Sequence, residues 1–364
     1  MPTKKQPTPP PDQTIQIRNI PVLALQIIAF GVVLTALVAG QSFLMPLAIA
    51  LLVWSLLQAV IERIVHFRIG NLSAPRWLAT LIGVGLIFAA FLFVIDILAS
   101  QADAVAAAWP RYYERLEGLF AKAVEWMGQD VAEEAQDAVN NIDVSSQLSG
   151  FIGSAGSILI NAVLVGIYVG FLIAERGFIP RKLAALVPDD GSAKELHNIV
   201  SSVGHSVRRY MGVKTIVSVG TALASYIVLR WIELDFAETW ALLIFLLNYI
   251  PNVGSILAVV FPAVLALIQF DTFWPFLVIA VGLTSVHFFI GNVLEPQFMG
   301  SSLNLSSFVV IMSLTFWGVV WGLAGMFLAV PITVMLMIVC AHVPNMRWIA
   351  ILLSRDGELD RITS

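Results

Sequence analysis

The sequence predicts an all-α, polytopic helical membrane protein with broken or re-entrant helices in its C-terminal half. Three observations carry this. Of 364 residues, 59% are hydrophobic and only 12% charged, whereas about a quarter of a soluble domain is charged. Apolar runs long enough to cross a hydrocarbon core of roughly 30 Å recur along the chain. Toward the C-terminus these runs are interrupted by polar, helix-breaking clusters, Asn248-Tyr249-Ile250-Pro251-Asn252-Val253-Gly254 and Gly291-Asn292-Val293-Leu294-Glu295-Pro296. Within lipid every backbone polar group needs a partner, so such breaks are tolerated only inside protein or beside a water-filled cavity. Broken membrane helices are therefore candidate transport sites.

In chain order, residues 1–19 form a polar, Pro-rich tail (Pro2, Pro7, Pro9, Pro10, Pro11) with the composition of a disordered segment. Residues 20–98 hold the spans Ile20–Gly40, Phe43–Val60 and Trp77–Leu98; the first has no small-residue cleavage site and reads as an uncleaved anchor. Residues 99–150 form an acidic segment, and 151–174 the span Phe151–Ala174. A cytoplasmic amphipathic link occupies 175–212. The core, 213–344, holds the spans Val213–Trp231, Phe236–Ile250, Ser255–Phe270 and Thr272–Ile290, then a long apolar stretch, Ser306–Ala341. At 1.5 Å per residue that stretch is too long for one ordinary span. It reads as a hairpin bending near Gly322–Gly325, with one long tilted helix as the alternative. Residues 345–364 form the C-terminal tail.

The net charge of −4 is unevenly placed, since Ala99–Gly150 alone carries nine acidic residues against three basic ones. Lysine and arginine set orientation. They cluster in the tail (Lys4, Lys5, Arg18), in the link after the second span (Arg63, Arg68, Arg76), between Arg176 and Lys214, and at the C-terminus (Arg347, Arg355, Arg361). With alternating spans all four clusters fall on one side, so both termini are expected in the cytoplasm and the acidic segment outside. In that segment Val105, Trp109, Tyr112, Leu116, Leu119 and Val124 recur at helical intervals; the alternative is a plain solvated connector. In the inner link Ser192-Ala193-Lys194-Glu195 is a capping-box pattern, and Leu196, Ile199, Val203, Val207 and Met211 follow on one face.

No His-Glu-x-x-His, Gly-x-Ser-x-Gly or phosphate-loop pattern is present, so an enzyme is not expected, nor a cofactor. The lone Cys340 excludes a disulfide within the chain, and the five histidines show no ligand spacing.

Three blocks resemble the autoinducer-2 exporter (AI-2E) family of bacterial inner-membrane transporters. The Asn248–Gly254 cluster is similar to the family's Ile-Pro-x-x-Gly turn. Asn292–Gly300 with Leu303-Asn304-Leu305-Ser306 resembles its Glu-Pro-x-x-x-Gly and Leu-x-Leu-Ser block. Gly322-Leu323-Ala324-Gly325 with Leu328-Ala329-Val330-Pro331 resembles its Gly-x-x-Gly-x-x-Leu-Ala-x-Pro ending. Leu44-Met45-Pro46-Leu47-Ala48 is a weaker echo. Ser307 and Ala59 depart from the family pattern, where Pro and an Asn-Pro pair are common. The resemblance implies export of small polar signals by some members and sodium–proton antiport by others, from homo-oligomers.

Glu295 is the leading candidate for the solute or ion pathway: a carboxylate beside Pro296 between two apolar stretches is a proton-carrier candidate, or else a surface carboxylate paired with Lys or Arg. Asn248, Asn252, Asn292 and Asn304 offer amide groups for a cation or hydroxylated solute, or stabilise turns. Pro251, Gly254, Pro296, Gly300, Gly322, Gly325 and Pro331 are expected to make the breaks. Gly166-x-x-x-Gly170 and Gly318-x-x-x-Gly322 allow close helix contact. Trp54, Trp77, Trp231, Trp240, Trp274 and Trp348 fit interfacial belts. The leading functional reading is an exporter of a small polar solute, with an antiporter, a channel-like oligomeric pore and a non-transporting scaffold as alternatives. The expected partners are the lipid bilayer, the solute or coupling cation and further copies of the chain; no nucleic acid is expected.

Overall fold

The computed structural model describes residues 20–66, 75–127, 144–186, 190–299 and 304–359. The tails beyond these limits, Arg68, the acid-rich stretch 128–143 and Gly300 lie outside the described residues. Those residues are helical almost throughout, and the one extended pairing among them is an isolated bridge between Leu305 and Ser354. The all-α class is as the sequence predicts.

The chain divides into two compact units, residues 1–44 and 45–364. In the first, α1 (Ile20–Ala39) has no charged residue, and Leu25, Ile27, Ile28 and Phe30 are 62–67% exposed. A helix apolar all round belongs in lipid or a protein core.

α2 (Gln41–His66), α3 (Arg76–Met127) and α4 (Val144–Glu175) pack together through Leu57, Ile61 and Ala79 with Ile87, Val169 and Ile173. α5 (Ile179–Ala185) leads to α6 (Asp190–Trp231). Next come α7 (Ala237–Leu247), α8 (Val253–Gln269) and α9 (Trp274–Phe289). Helices α6 to α9 share a core of Leu229, Ile244, Ala258, Ala263, Ala266 and Leu283. Lipid is as apolar as Leu, so the alanines of α8 matter here by letting backbones approach and gain van der Waals contact. Among the described residues five helical stretches are long and apolar enough to cross a membrane: Gln41–His66, Arg76–Gln101, Ala193–Trp231, Trp274–Phe298 and Ser307–His342.

The span Trp77–Leu98 and the amphipathic helix after it are one continuous helix, α3, of 52 residues. Its distal part is held by a clasp. The Tyr112 hydroxyl donates to Asp235 Oδ2 at 2.5 Å, Arg111 pairs with the same oxygen at 2.5 Å, and Arg115 pairs with Asp271. Gln269 completes the clasp by accepting from the Asp235 amide and donating to the Glu233 carbonyl. Burial, then the bond to Asp235, push the Tyr112 hydroxyl from 10 up to about 12. The phenol is protonated in the folded and unfolded chain alike below pH 10, so its contribution is complete there and is lost as pH rises through about 12. Tyr112→Phe is expected to lower stability by about 1 kcal/mol at neutral pH and to remove one late-titrating phenol from the ultraviolet titration. A titration above pH 11 identical to wild type would contradict the clasp.

Two stretches read as separate spans, Phe236–Ile250 and Ser255–Phe270, are the arms of a hairpin. α7 has 11 residues, about 16 Å of helix, and cannot cross a core of roughly 30 Å. The turn is tight. Val253 N–H donates to the Pro251 carbonyl at 2.7 Å with Asn252 at φ 60°, ψ −57°, the rare, strained hand of γ-turn. A Cβ on Gly254 would collide with the Leu247 carbonyl.

After α9 come a π-helical turn (Ile290–Leu294), α10 (Glu295–Met299), α11 (Ser307–His342), a 3₁₀ turn (Pro344–Met346) and α12 (Arg347–Leu353). α11 is the expected hairpin. Trp321 (φ −131°, ψ 17°) and Gly322 (φ 61°, ψ −143°) leave the helical region. Across the bend the Ser313 hydroxyl donates to the Ala329 carbonyl at 3.1 Å and lies 2.5 Å from Thr333 Oγ1. Both ends return to one side, where Ser306 N–H donates to the Leu353 carbonyl. The two hairpins meet through Leu247 and Ile250 of the first and Leu314, Trp317, Met326 and Ala329 of the second.

The inner amphipathic helix runs unbroken into the span as α6. It is already helical at Asp190, so Ser192 lies inside its first turn rather than at the expected capping position. Trp77, Trp231, Trp274 and Trp348 are exposed as an interfacial belt requires. Trp54 and Trp240 are half-buried instead, the latter stacked on Phe261.

Candidate functional site

A cavity of about 540 Å³ lies between the α7–α8 turn, the distal part of α9, the π-helical turn and α6. Four of the five residues expected on a pathway line it: Asn248, Asn252, Asn292 and Glu295. Asn304 lies elsewhere, donating to Asp356 Oδ1 and the Glu358 carbonyl, and so ties the foot of α11 to the C-terminal segment.

The feature that organises the cavity is an ion pair. Lys214 Nζ donates to Glu295 Oε1 at 2.7 Å, with side chains 6% and 20% exposed. Lys214, which its place in the sequence puts among the orienting charges of the inner link, is instead buried at the start of the span Val213–Trp231. A second signal was available in its spacing. Lys214, Ser218, Thr221 and Ser225 follow one another by four, three and four residues and are all buried, a polar stripe on one face of a membrane helix. That stripe faces the break. Asn248 Nδ2 donates to Ser218 Oγ at 3.0 Å, and Thr215 Oγ1 lies 2.7 Å from the Tyr249 hydroxyl. Tyr249 also packs on Phe327 at 4.6 Å, which ties the two hairpins together beside the cavity.

The Glu-Pro block does not break the chain; it widens the helix. Glu295 N–H donates to the Ile290 carbonyl five residues back, and Pro296 has no N–H to give. A π turn absorbs such a defect and is common at functional sites. Asn292 Nδ2 takes up the Phe288 carbonyl at 3.1 Å, and Glu295 turns toward Lys214. His287, buried, lines the same cavity, and its Nε2 has no hydrogen-bond partner among the described residues.

Of the residues expected to make breaks, Pro251 forms the first turn and Gly254 the close approach after it. Gly322 supplies a positive φ, and Gly325 lets the second hairpin close against the Trp317 carbonyl. Pro296 follows the π turn. Pro331 is buried inside the second arm of α11, whose helix continues through it. Trp317 and Trp321 pack on each other at 5.0 Å and do not line the cavity.

Amides open to the cavity, together with buried hydroxyls, a buried imidazole and a charge pair, suit binding and release of a small polar solute or ion. A model of the AI-2E family transporters matches residues 23–345. The chain is 31% identical over 337 residues to a putative transport protein of Haemophilus influenzae, covering 89% of this chain and 92% of that protein. It is 29% identical over 333 residues to AI-2 transport protein TqsA of Escherichia coli strain K12, with coverage of 89% and 92%. To putative transport protein YhhT of the same strain it is 27% identical over 335 residues, covering 90% of each. With its long apolar helices, the chain is a multi-pass protein of the bacterial inner membrane, and it belongs to the AI-2E family of transporters.

Proposed function

We propose that this transporter exports a small polar solute through the cavity at Lys214 and Glu295, and that the charge pair couples the movement to protons. The observation that carries this reading is the largely buried pair at 2.7 Å beside the α7–α8 turn and the π turn, because charges inside a membrane are costly and are kept where they serve a pathway. Asn248, Asn252 and Asn292 supply donors and acceptors for hydroxyl or carbonyl groups of the solute. The printed name of one relative makes autoinducer-2 the first solute to test. The reading keeps both termini in the cytoplasm and the distal part of α3 outside, on the lysine and arginine distribution. It includes assembly as a homo-oligomer, for which the open face at Gly166 and Gly170 of α4 offers room for close helix contact.

Sodium–proton antiport is the second reading. The pairing favours the first reading, since a carboxylate already neutralised by an ammonium offers no net charge to a sodium ion. On the first reading protonation of Glu295 releases Lys214 into the cavity, and the pair closes again when the proton leaves.

The test is flux in proteoliposomes with imposed proton or sodium gradients. Glu295→Gln keeps size and much of the hydrogen bonding but cannot cycle a proton. A well-assembled variant is expected to lose gradient-driven flux, at least 10-fold on the usual scale for a general acid–base group. Wild-type flux and pH dependence would overturn the assignment. Flux that never depended on a gradient would indicate a channel-like pore, and no solute flux from the wild type, a scaffold.

A further inference from the structure

A second cavity, of about 850 Å³, opens between α2, α3 and α6. It sits on the back of α6. At about 100° per residue, Arg208, Arg209, Gly212 and Ile216 lie roughly half a turn around from Lys214, so the cavity is separated from the transport site by the helix itself. Its wall has two chemistries. Arg63, Arg208 and Arg209 form one end, with His66 and His205 beside them, and Leu56, Val60, Leu86, Ile216 and Phe298 form the other.

Charge and depth are ordered along this wall. Arg63 closes α2 and Arg209 stands four residues before the apolar part of α6, at the level where headgroups meet the chains. Leu56 and Ile216 each lie seven residues deeper, about 10 Å of helix. Among the described residues Glu62 is the one carboxylate in the lining, 3.5 Å from Arg208 Nε. Three guanidinium groups against one carboxylate leave an excess of two positive charges with both histidines neutral. Among the described residues the buried Arg208 Nε makes no hydrogen bond, and Glu62 is its ion-pair partner. Such a gradient, cationic at the interface and apolar beneath it, complements a phosphate carrying acyl chains.

We propose that this cavity binds an anionic diacyl phospholipid of the leaflet in which α2 ends, the cytoplasmic one on the orientation above. The phosphate sits among Arg63, Arg208 and Arg209, and an acyl chain lies along Leu56, Val60 and Ile216. Guanidinium groups pair with phosphate oxygens in a planar fork, and basic pockets between membrane helices select anionic headgroups. A phosphatidylethanolamine carries its own ammonium into the same cluster and is disfavoured. The binding does not depend on what the transporter moves.

Native mass spectrometry of the delipidated full-length chain in detergent, titrated with phosphatidylglycerol or phosphatidylethanolamine, tests this. Phosphatidylglycerol is expected to bind at one saturable site at least 10-fold tighter than phosphatidylethanolamine. Arg63→Gln with Arg209→Gln, both at exposed positions, should weaken it by roughly 25-fold, about fivefold for each arginine. Val60→Trp keeps every charge and fills the apolar end, and should weaken it as well. Equal affinity for the two lipids, or phosphatidylglycerol binding unchanged in the double arginine variant, would overturn the proposal. So would competition by glycerol phosphate or inorganic phosphate at concentrations comparable to the lipid, which would mark a site for soluble phosphate.

Discussion

Glu295→Leu is expected to cost about 3–5 kcal/mol of stability, because it strands a buried ammonium without its partner. Lys214 is 6% exposed, and no other carboxylate is described within salt-bridge distance. The converse variant is milder. Lys214→Met leaves Glu295, which is 20% exposed to the cavity and can take up water, so its cost lies below that range. The double variant, Lys214→Met with Glu295→Leu, replaces the pair by apolar side chains of similar volume and should regain most of the stability while remaining inactive. Thermal unfolding of the detergent-solubilised protein, read by size-exclusion chromatography, orders the four proteins. If Glu295→Leu unfolds with wild type, the ion pair is not formed in the buried geometry. If the double variant is as damaged as Glu295→Leu, the loss comes from shape and not from the stranded charge.

This asymmetry bears on coupling. On the proton-coupled reading proposed above, the more exposed member, Glu295 at 20% against 6% for Lys214, is the one to exchange protons with the cavity. Glu295 projects from a π turn, whose wider spacing sets it at an angle a regular helix would not give.

The helical class and the bend in α11 were legible because they follow from composition and length: a largely apolar run of 36 residues exceeds one ordinary span. The α7–α8 hairpin was over-read as two crossings because a hydropathy window registers apolar content, and the depth reached depends on where Pro251 and Asn252 turn the chain. Lys214 was missed for a related reason. Counting lysines near span ends treats every one as an interfacial charge, and only the pattern with Ser218, Thr221 and Ser225 sets this one apart. The π turn leaves no mark in the sequence beyond Pro296, since its spacing is decided by the bonds that Ile290 and Glu295 make. Asn304 was grouped with the pathway by residue type. Its partners Asp356 and Glu358 are about 50 positions away, and no local pattern points to them.

The largest structural effect is expected at Gly325. A Cβ there would overlap the Trp317 carbonyl and press on Trp321 Cβ at 3.1 Å. Both obstacles sit on the backbone or next to it, so no side-chain rotation relieves them. Gly325→Val must therefore part the two arms of α11, breaking the Ser313 bonds to Ala329 and Thr333 and loosening the contact with Leu247 and Ile250. Loss of packing and buried hydrogen bonds together places the cost above about 4 kcal/mol, enough to abolish a folded product. Gly322→Ala tests a different cause in the same bend. Nothing lies within 4 Å of its Cβ position, but φ is +61° with ψ −143°, a region nearly reserved for glycine, so strain of about 1–3 kcal/mol is expected. Gly166→Ala supplies the control, with open space inside a regular helix, where alanine is favoured by about 0.5–1 kcal/mol. The expected order of folded yield is Gly166→Ala at or above wild type, then Gly322→Ala, then Gly325→Val with none. A folded, monodisperse Gly325→Val protein would show that the arms of α11 do not close as described, and with them the contact that holds the two hairpins together beside Lys214 and Glu295.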